Sequence, residues 1–289
     1  MIVVDACVRS GGGSGGSPTA VVYDHGGYPD AERVPARAGT SHAAFVAREP
    51  NADGSRAVRF FTAGGELRGC GHGTVAAQAV LLDDGGFTGL QHTGGRTFEV
   101  RATRRPGGIE VSFDQGLVTL RPPSAAERAA VEALRPHGDV AVASPGAPRL
   151  LVPVADRDTL GALAPDLDAL GAATRRLGLL GCFVYVAPDG SGARAAARMF
   201  APAIGVPEDV ANANSTGCLA AHLLATTGVE RIEVDQGDAL GRPATVYATA
   251  ESTPHGIRTW VGGLAVIRRP GDAWAGSGRS RTPPTPGVT

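Results

Sequence analysis

Short apolar runs, each bounded by Gly, Pro, Asp or Asn, recur along the chain. The runs at residues 20–23, 58–61, 150–152, 182–186 and 259–261 contain β-branched or aromatic side chains, which favour strands. Because turn residues separate these runs at short intervals, the pattern predicts a largely antiparallel, turn-rich sheet.

Two segments break this pattern. Residues 74–82 and 216–225 are apolar on nearly every side, which is typical of a buried helix. Each follows a strand-like run, is entered through a loop rich in Gly or Asn, and is followed by more strands. This weak internal repeat predicts an α+β protein of two pseudo-symmetric halves, residues 1–118 and 119–270, each with a curved sheet wrapped on one central helix.

The rest of the chain carries simpler signals. Smaller helices are predicted at residues 125–134 and 159–177. Residues 271–289 are rich in Pro, Gly, Ser and Thr, and are therefore predicted to be a disordered tail.

Composition and charge exclude several classes of protein. Of 289 residues, 27 are Lys or Arg and 28 are Asp or Glu, for a net charge of -1, and no basic run marks a nucleic-acid surface. No apolar stretch approaches the roughly 20 residues that span a bilayer. The first residues, 1–6, resemble a strand and carry no targeting pattern, so we expect a cytoplasmic protein.

Cofactor and metal motifs are missing from the sequence. The four cysteines form no CxxC pair and no histidine stands at zinc-ligand spacing from them, so we expect free thiols and no structural metal site. Neither GxGxxG nor a P-loop opens a βαβ unit, and we expect no cofactor.

The loop directly before the first buried helix combines glycines with reactive side chains. In Cys70-Gly71-His72-Gly73-Thr74 the glycines let the backbone approach a ligand closely. Free N–H groups at a helix N-terminus bind a carboxylate and favour a cysteine thiolate. The string therefore offers a base, an imidazole and an oxyanion cradle. The alternative is a tight turn that contains a buried cysteine.

The loop before the second helix, residues 205–218, is polar. Its candidate residues are Asp209 as an acid–base group and, for substrate binding, Asn212, Asn214, Ser215, Thr216 and Gly217. The alternative is an elaborate helix cap. If the two halves face each other, both helix N-termini point into one cleft. There they would hold a small carboxylate and stabilise the enolate-like charge that develops when a neighbouring C–H is ionised.

Other candidates come from isolated positions. Ser41 and His42 precede a strand, and His42 is either a catalytic residue or a surface histidine. Cys7 and Cys182 lie in strand-like runs and are interpreted as packing residues. Cys218 falls in the first turn of the second helix and is interpreted as structural.

A set of ordered landmarks resembles the phenazine-biosynthesis PhzF-like family of the diaminopimelate epimerase fold. The landmarks are residues 4–6, 16–22, 40–46, 71–74, 200–209, 217–221, 236–243 and 260–263, so the resemblance covers roughly residues 1–270. It implies two mirrored, β-barrel-like domains, each around a central helix, with the active site between them. Many similar proteins are homodimers, so a homodimer is expected.

The departures from the family pattern point to a particular chemistry. The family commonly has a glutamate where this sequence has His42, whereas His72 and Asp209 match its histidine and aspartate. Its threonine-glycine-serine signature is replaced by residues 212–214. Cys70 resembles the first cysteine of the epimerases and proline racemases, but their second cysteine falls at Asn212. Racemisation needs a base on each face of the carbon, so this arrangement argues against opposed thiols.

These observations together predict a cofactor-independent isomerase that shifts a proton and a double bond on a small unsaturated amino or imino acid. In this scheme Cys70 removes the proton, and His42 or His72 delivers or relays it. Among similar proteins, the closest in kind is a double-bond isomerase that acts on an unsaturated proline precursor in lincomycin-type antibiotic biosynthesis. Such a role would place the enzyme in secondary metabolism. The alternatives are an epimerase or racemase, a hydroxy-amino-acid dehydratase, and a non-catalytic small-molecule binding protein.

Overall fold

The computed structural model describes residues 1–9, 15–24, 26–27, 30–188 and 193–269. The strands are β1 (Ile2–Val8), β2 (Ser17–Asp24), β3 (His42–Ala47), β4 (Arg56–Thr62), β5 (Gly65–Leu67), β6 (Leu90–Thr93), β7 (Arg96–Arg105), β8 (Gly108–Arg121), β9 (Ala141–Ser144), β10 (Arg149–Pro153), β11 (Cys182–Val186), β12 (Arg194–Ala201), β13 (Val206–Asp209), β14 (Arg231–Gln236), β15 (Ala244–Thr253) and β16 (Gly256–Ile267). The helices are α1 (Val34–Ala38), α2 (Gly71–Asp83), α3 (Ala125–Ala129), α4 (Arg157–Gly161), α5 (Leu167–Arg176) and α6 (Ala213–Thr227). The predicted tail, residues 271–289, lies outside the described residues.

The strands form two closed rings that share β8 and β16. The first ring runs β16-β1-β2-β3-β4-β6-β7-β8, and β8 pairs with β16 to close it. The second runs β8-β9-β10-β11-β12-β14-β15-β16 and closes through the same pair. A closed ring leaves no unpaired edge, and its interior must be filled.

The two rings are built from one repeated order of elements. The series β1 to β5, α2, β6 to β8 corresponds to β9 to β13, α6, β14 to β16, because each pairing has the same direction in both series. For example, β2 pairs in parallel with β3, and β10 pairs in parallel with β11. The repeat places its division between β8 and β9, and the predicted boundary at residue 118 falls inside β8.

A buried helix fills each ring, which confirms the predicted α+β architecture. In α2, the residues from Gly71 to Leu81 are all buried, and α6 is buried along most of its length. Such helices expose no polar face to water because the sheet surrounds them. Both begin earlier than predicted, at Gly71 and Ala213. The glycines and asparagines interpreted as loop are part of the first helical turn, where an N-capping side chain supports them.

The smaller predicted helices are broken into shorter elements. Residues 125–134 form α3 and a 3-10 turn, and residues 159–177 form the end of α4 and then α5. Leu160, Leu163 and Leu170 from this region pack with β9 to β12 in an apolar cluster separate from the ring interiors. Across the residues described, none of the helices has both the length and the apolar character needed to cross a bilayer.

Candidate active site

Cys70 is the N-terminal capping residue of α2. Its backbone is extended (φ -146°, ψ 117°), so the side chain turns back over the first helical turn. The sulfur accepts a hydrogen bond from the backbone N–H of Gly73 at 3.4 Å and lies 3.4 Å from Nε2 of His72. A sulfur atom at this position faces the positive end of the helix, which stabilises negative charge.

His72 bonds on both sides of its ring. Nδ1 lies 3.2 Å from the carbonyl oxygen of Ala211, and Nε2 faces Cys70. Burial lowers the pKa of His72, but Cys70, Asp209 and the Ala211 carbonyl together more than reverse this and raise the pKa to about 9. An imidazole that donates from both nitrogens is the protonated form. Because the Ala211 carbonyl can only accept, Nδ1 carries a proton, and the raised pKa favours a second proton on Nε2, beside the cysteine sulfur.

His42 packs against His72, and its pKa is shifted in the opposite direction. The two ring centroids are 4.3 Å apart and the rings are nearly perpendicular. Burial, and then the charge of His72, lower the pKa of His42 to about 2, so this imidazole stays neutral. Its Nδ1 is 2.8 Å from Oγ of Ser41, an exposed residue directly before β3. The predicted candidates at positions 41 and 42 thus lie beside the cysteine–histidine pair.

The donor atoms of His42, Cys70 and His72 lie within 4.8 Å of one another, and no other such group occurs in the part of the chain that the structure describes. A sulfur with two imidazole nitrogens is a donor set that suits zinc or copper. The same atoms of Cys70 and His72 lie 3.4 Å apart, a distance at which the sulfur and the imidazole can share a proton.

Asn212 caps α6 as Cys70 caps α2. Its Oδ1 accepts a hydrogen bond from the N–H of Ser215 at 2.9 Å, and its Nδ2 donates to Asp209 at 3.0 Å. Asp209 ends β13 and is half-buried. These bonds occupy the amide of Asn212 and hold Asp209 next to the N-terminus of α6.

The two helix entrances are equivalent position by position. Thr74 donates to the carbonyl of Cys70 and accepts from Gln91, which lies in β6. In the other half, Thr216 donates to the carbonyl of Asn212 and accepts from Gln236, which lies in the corresponding strand, β14. By this correspondence Asn212 occupies the position of Cys70. A non-basic amide therefore occupies the position where racemisation by two opposed thiols would need the second cysteine.

The helix entrances meet, which brings the candidates of both halves together. A methyl group added at Gly71 would come within 2.5 Å of Cβ of Ala213, and His72 bonds to the carbonyl of Ala211. Asn214 holds the position in α6 that His72 holds in α2. Its side chain is half-buried and forms no hydrogen bond within the described residues, so it is free to contact a ligand.

Other residues predicted to bind substrate have side chains that are packed against or bonded to the protein itself. The hydroxyls of Thr74, Ser215 and Thr216 are buried and bonded to neighbouring protein groups. Gly73 packs against the ring of Phe60, and Gly217 against the side chain of Gln115. These residues shape the helix entrances through their backbone.

Sequence reasoning missed the side chains that support the site. Gln115 donates to the carbonyl of Asn214 at 2.9 Å, while Gln91 and Gln236 brace the two threonines. The signal for the last two was a glutamine in each of two corresponding strands, β6 and β14, which only the repeat of elements reveals. Cys7, interpreted as packing, has a left-handed backbone (φ 61°). Burial, then the charges of Asp209 and Cys70, raise the pKa of its thiol, so it lies close to the site.

A family model described as phenazine biosynthesis-like protein matches residues 12–271. The chain belongs to the phenazine biosynthesis-like family. The uncharacterized isomerase YddE of Escherichia coli O157:H7 is 30% identical over 250 residues, which are 79% of this chain and 82% of that protein. The trans-2,3-dihydro-3-hydroxyanthranilate isomerase of Pseudomonas fluorescens is 32% identical over 251 residues, which are 82% of this chain and 85% of that protein. These relatives confirm the expectation of an enzyme.

A solved structure supports the fold. The Bacillus anthracis phenazine biosynthesis protein of the PhzF family superposes with a TM-score of 0.77 over 93% of this chain and 96% of that one, at 18% identity. The fold that the sequence resemblance implied, two barrel-like halves around central helices, is thereby confirmed.

Proposed function

We propose that this enzyme is an isomerase that moves a proton between two carbons of a small unsaturated carboxylate, without a cofactor. The observation that carries the proposal is the contact of 3.4 Å between Sγ of Cys70 and Nε2 of His72 at the N-terminus of a buried helix. It joins a base and an acid within one proton-transfer step. The names of the relatives, which are isomerases, also support it.

In the proposed reaction the Cys70 thiolate removes a proton from the α-carbon of a β,γ-unsaturated acid. The electron pair of the broken C–H bond spreads over the two carbons and the carboxylate, and the N–H groups at the entrances of α2 and α6 stabilise this charge. The His72 imidazolium then protonates the γ-carbon, so that the double bond moves to the α,β position. A proton passes from the thiol to His72 and restores the starting state.

The other polar groups receive supporting roles in this scheme. His42 is neutral and packs on His72, so we assign it to positioning the imidazolium rather than to delivering the proton. Asp209 contributes negative charge that favours protonated His72. Asn214 is assigned to contacting the substrate from the second half.

The asymmetry of the two helix entrances favours a proton shift over racemisation. Racemisation needs a base on each face of one carbon, and the position equivalent to Cys70 is occupied by Asn212. A single sulfur–imidazolium pair removes and delivers protons on one side, which is sufficient for a shift between two carbons. The proposed substrates are therefore unsaturated amino or imino acids, including the proline-derived acids that the sequence suggested.

The test is solvent deuterium incorporation followed by NMR. The panel holds trans-2,3-dihydro-3-hydroxyanthranilate, unsaturated and saturated cyclic amino acids, and hydroxyprolines. Wild type is compared with Cys70→Ala, and Cys182→Ala is the matched control because that thiol is buried in β11.

We expect label at the γ-carbon in wild type and in the control, and none in Cys70→Ala. Label at an α-carbon with inversion would replace the proposal with an epimerase, and loss of water would replace it with a dehydratase. A ligand that binds without any exchange would favour a binding protein. An active Cys70→Ala enzyme would refute the role of the thiol.

A further inference from the structure

Arg149, the first residue of β10, is a buried cation with no acidic partner. Its side chain is 2% exposed, and among the described residues no carboxylate forms an ion pair with it. One terminal nitrogen donates to Oγ of Ser215 at 3.0 Å and the other to the carbonyl of Ala147 at 2.9 Å. The Nε atom is buried and has no hydrogen-bond partner. Proteins rarely bury a charge in this way, because the loss of hydration is costly unless an opposite charge compensates it.

The guanidinium lies beneath the entrance of α6. Ser215 is in the first turn of that helix, and its N–H bonds to the capping side chain of Asn212. The charge of Arg149 also opposes the effect of burial on the pKa of Cys218, one turn further along. The positive end of the helix dipole and a fixed positive charge therefore coincide at one end of the site.

The first half has no equivalent charge. Ala20 pairs with Ala43 in the first half, Leu150 pairs with Cys182 in the second, and all four side chains belong to clusters outside the ring interiors. By this register the counterpart of Arg149, whose side chain faces α6, is Thr19. Among the described residues, the half that carries Cys70 and His72 thus lacks a buried cation beneath its helix entrance, because its buried Arg56 bonds to Gly86 beyond the opposite end of α2.

We propose that Arg149 is a positioning residue that makes the α6 entrance the binding site for the substrate's carboxylate, so that the anion is held by one half while the other half moves the proton. This inference rests on the proposed function and deepens it. The carboxylate supplies the negative charge that Arg149 lacks, and Ser215 transmits the position of the guanidinium to the helix entrance. Because the fixed positive charge lies only at the α6 entrance, it determines which end of the substrate faces Cys70. It also selects acids over neutral analogues of the same shape.

The test compares two alkylating reagents of similar size at Cys70. Iodoacetate carries a carboxylate and iodoacetamide is neutral; in both, the thiolate attacks the methylene carbon and iodide leaves. Mass spectrometry of the Cys70 peptide gives the two rate constants and their ratio. A general change in folding or thiol reactivity alters both rates together, whereas a carboxylate site alters the ratio. The variants are Arg149→Met, Arg149→Gln and Arg149→Lys, with Arg176→Met as a control for charge on the exposed end of α5.

We expect the ratio of the rate constants for iodoacetate and iodoacetamide to fall about fivefold in the Met and Gln variants. The ratio should stay at the wild-type value in the Lys variant and in the Arg176→Met control. The Gln variant keeps hydrogen-bonding groups for Ser215 and Ala147, so it tests the charge even if the Met variant does not fold. Equal ratios in wild type and Arg149→Gln, or a loss in Arg149→Lys equal to that in Arg149→Gln, would overturn the proposal.

A second measurement separates this proposal from the proposed function. The rise in melting temperature caused by anthranilate, relative to anthranilamide, should occur in wild type and disappear in Arg149→Gln. This readout does not involve Cys70. A Cys70 that reacts with neither reagent would count against the proposed function alone, whereas the absence of an anthranilate-specific rise in wild type would overturn the role of Arg149.

Discussion

The protonation state of His72 gives the sharpest test of the site, and Cys70→Ala is the perturbation. Burial lowers the pKa of this imidazole, and the contacts with Cys70, Asp209 and Ala211 reverse the effect and raise it from 6.5 to about 9. The difference of about 2.5 pH units corresponds to about 3 kcal/mol at roughly 1.36 kcal/mol for each unit. Cys70 supplies the two largest of the raising contributions. Without Cys70, the lowering effect of burial is less compensated, so the pKa of His72 should fall to 6.5 or below.

The assay is a pH titration of imidazole nitrogens by two-dimensional NMR on protein labelled with 15N-histidine. In wild type we expect one buried histidine, His72, to titrate near pH 9, and another, His42, to stay neutral down to strongly acidic pH. Cys182→Ala is the control, because it removes a buried thiol from β11 and should leave both imidazoles unchanged. If His72 titrates near 6.5 in wild type, or if Cys70→Ala leaves its pKa near 9, the sulfur–imidazolium pair is refuted.

Three further predictions concern stability and assembly. Replacing Gln236 with Leu removes the acceptor for the N–H of Asn212 and the donor to Thr216, so the free energy of unfolding should fall by about 2 to 4 kcal/mol in urea titrations. An unchanged urea midpoint of unfolding would contradict the bracing role of Gln236. The contact with Arg121, opposed by burial and aided by the helix cap, lowers the pKa of Glu127 from 4.5 to about 2. Because the pKa is lower in the folded state, the ionised carboxylate stabilises the fold above pH 4.5, and this stabilisation is lost as the pH falls toward 2. Glu127→Gln should therefore lower the free energy of unfolding by about 1 kcal/mol at neutral pH and remove that part of its dependence on acid. The homodimer expected from the sequence resemblance should appear as a single species of twice the chain mass in sedimentation velocity, and a monomer at all concentrations would exclude it.

The sequence was sufficient to locate the candidate site because the relevant signals are local. Alternating glycines around Cys70 and His72, placed before an apolar segment, indicated a helix entrance with reactive groups. The asparagines before the second apolar segment indicated its counterpart. Helix starts were misplaced by three residues in each case, since glycine and asparagine favour loops unless a capping side chain fixes the first turn, and capping geometry is not visible in composition.

Other features depended on contacts between residues far apart in the chain. The orientation of His42 toward His72 results from the register of β3 beside α2. The protonation of His72 depends on Asp209 and on the carbonyl of Ala211, which belong to the other half. No local pattern encodes such contacts, because ring closure through the shared strands β8 and β16 decides which residues meet.

The sequence by itself therefore determined the two buried helices, the α+β class, the reactive pair and the loss of a second thiol. The first three follow from residue types within a few positions of one another, and the loss of a second thiol follows from the family resemblance. Only the tertiary structure decided that Asn212 caps α6 as Cys70 caps α2, that Gln91 and Gln236 brace matching threonines, and that Arg149 is buried without an acid. Burial and electrostatic environment arise when distant segments exclude water together, so the charge asymmetry of the two halves exists only in the folded molecule.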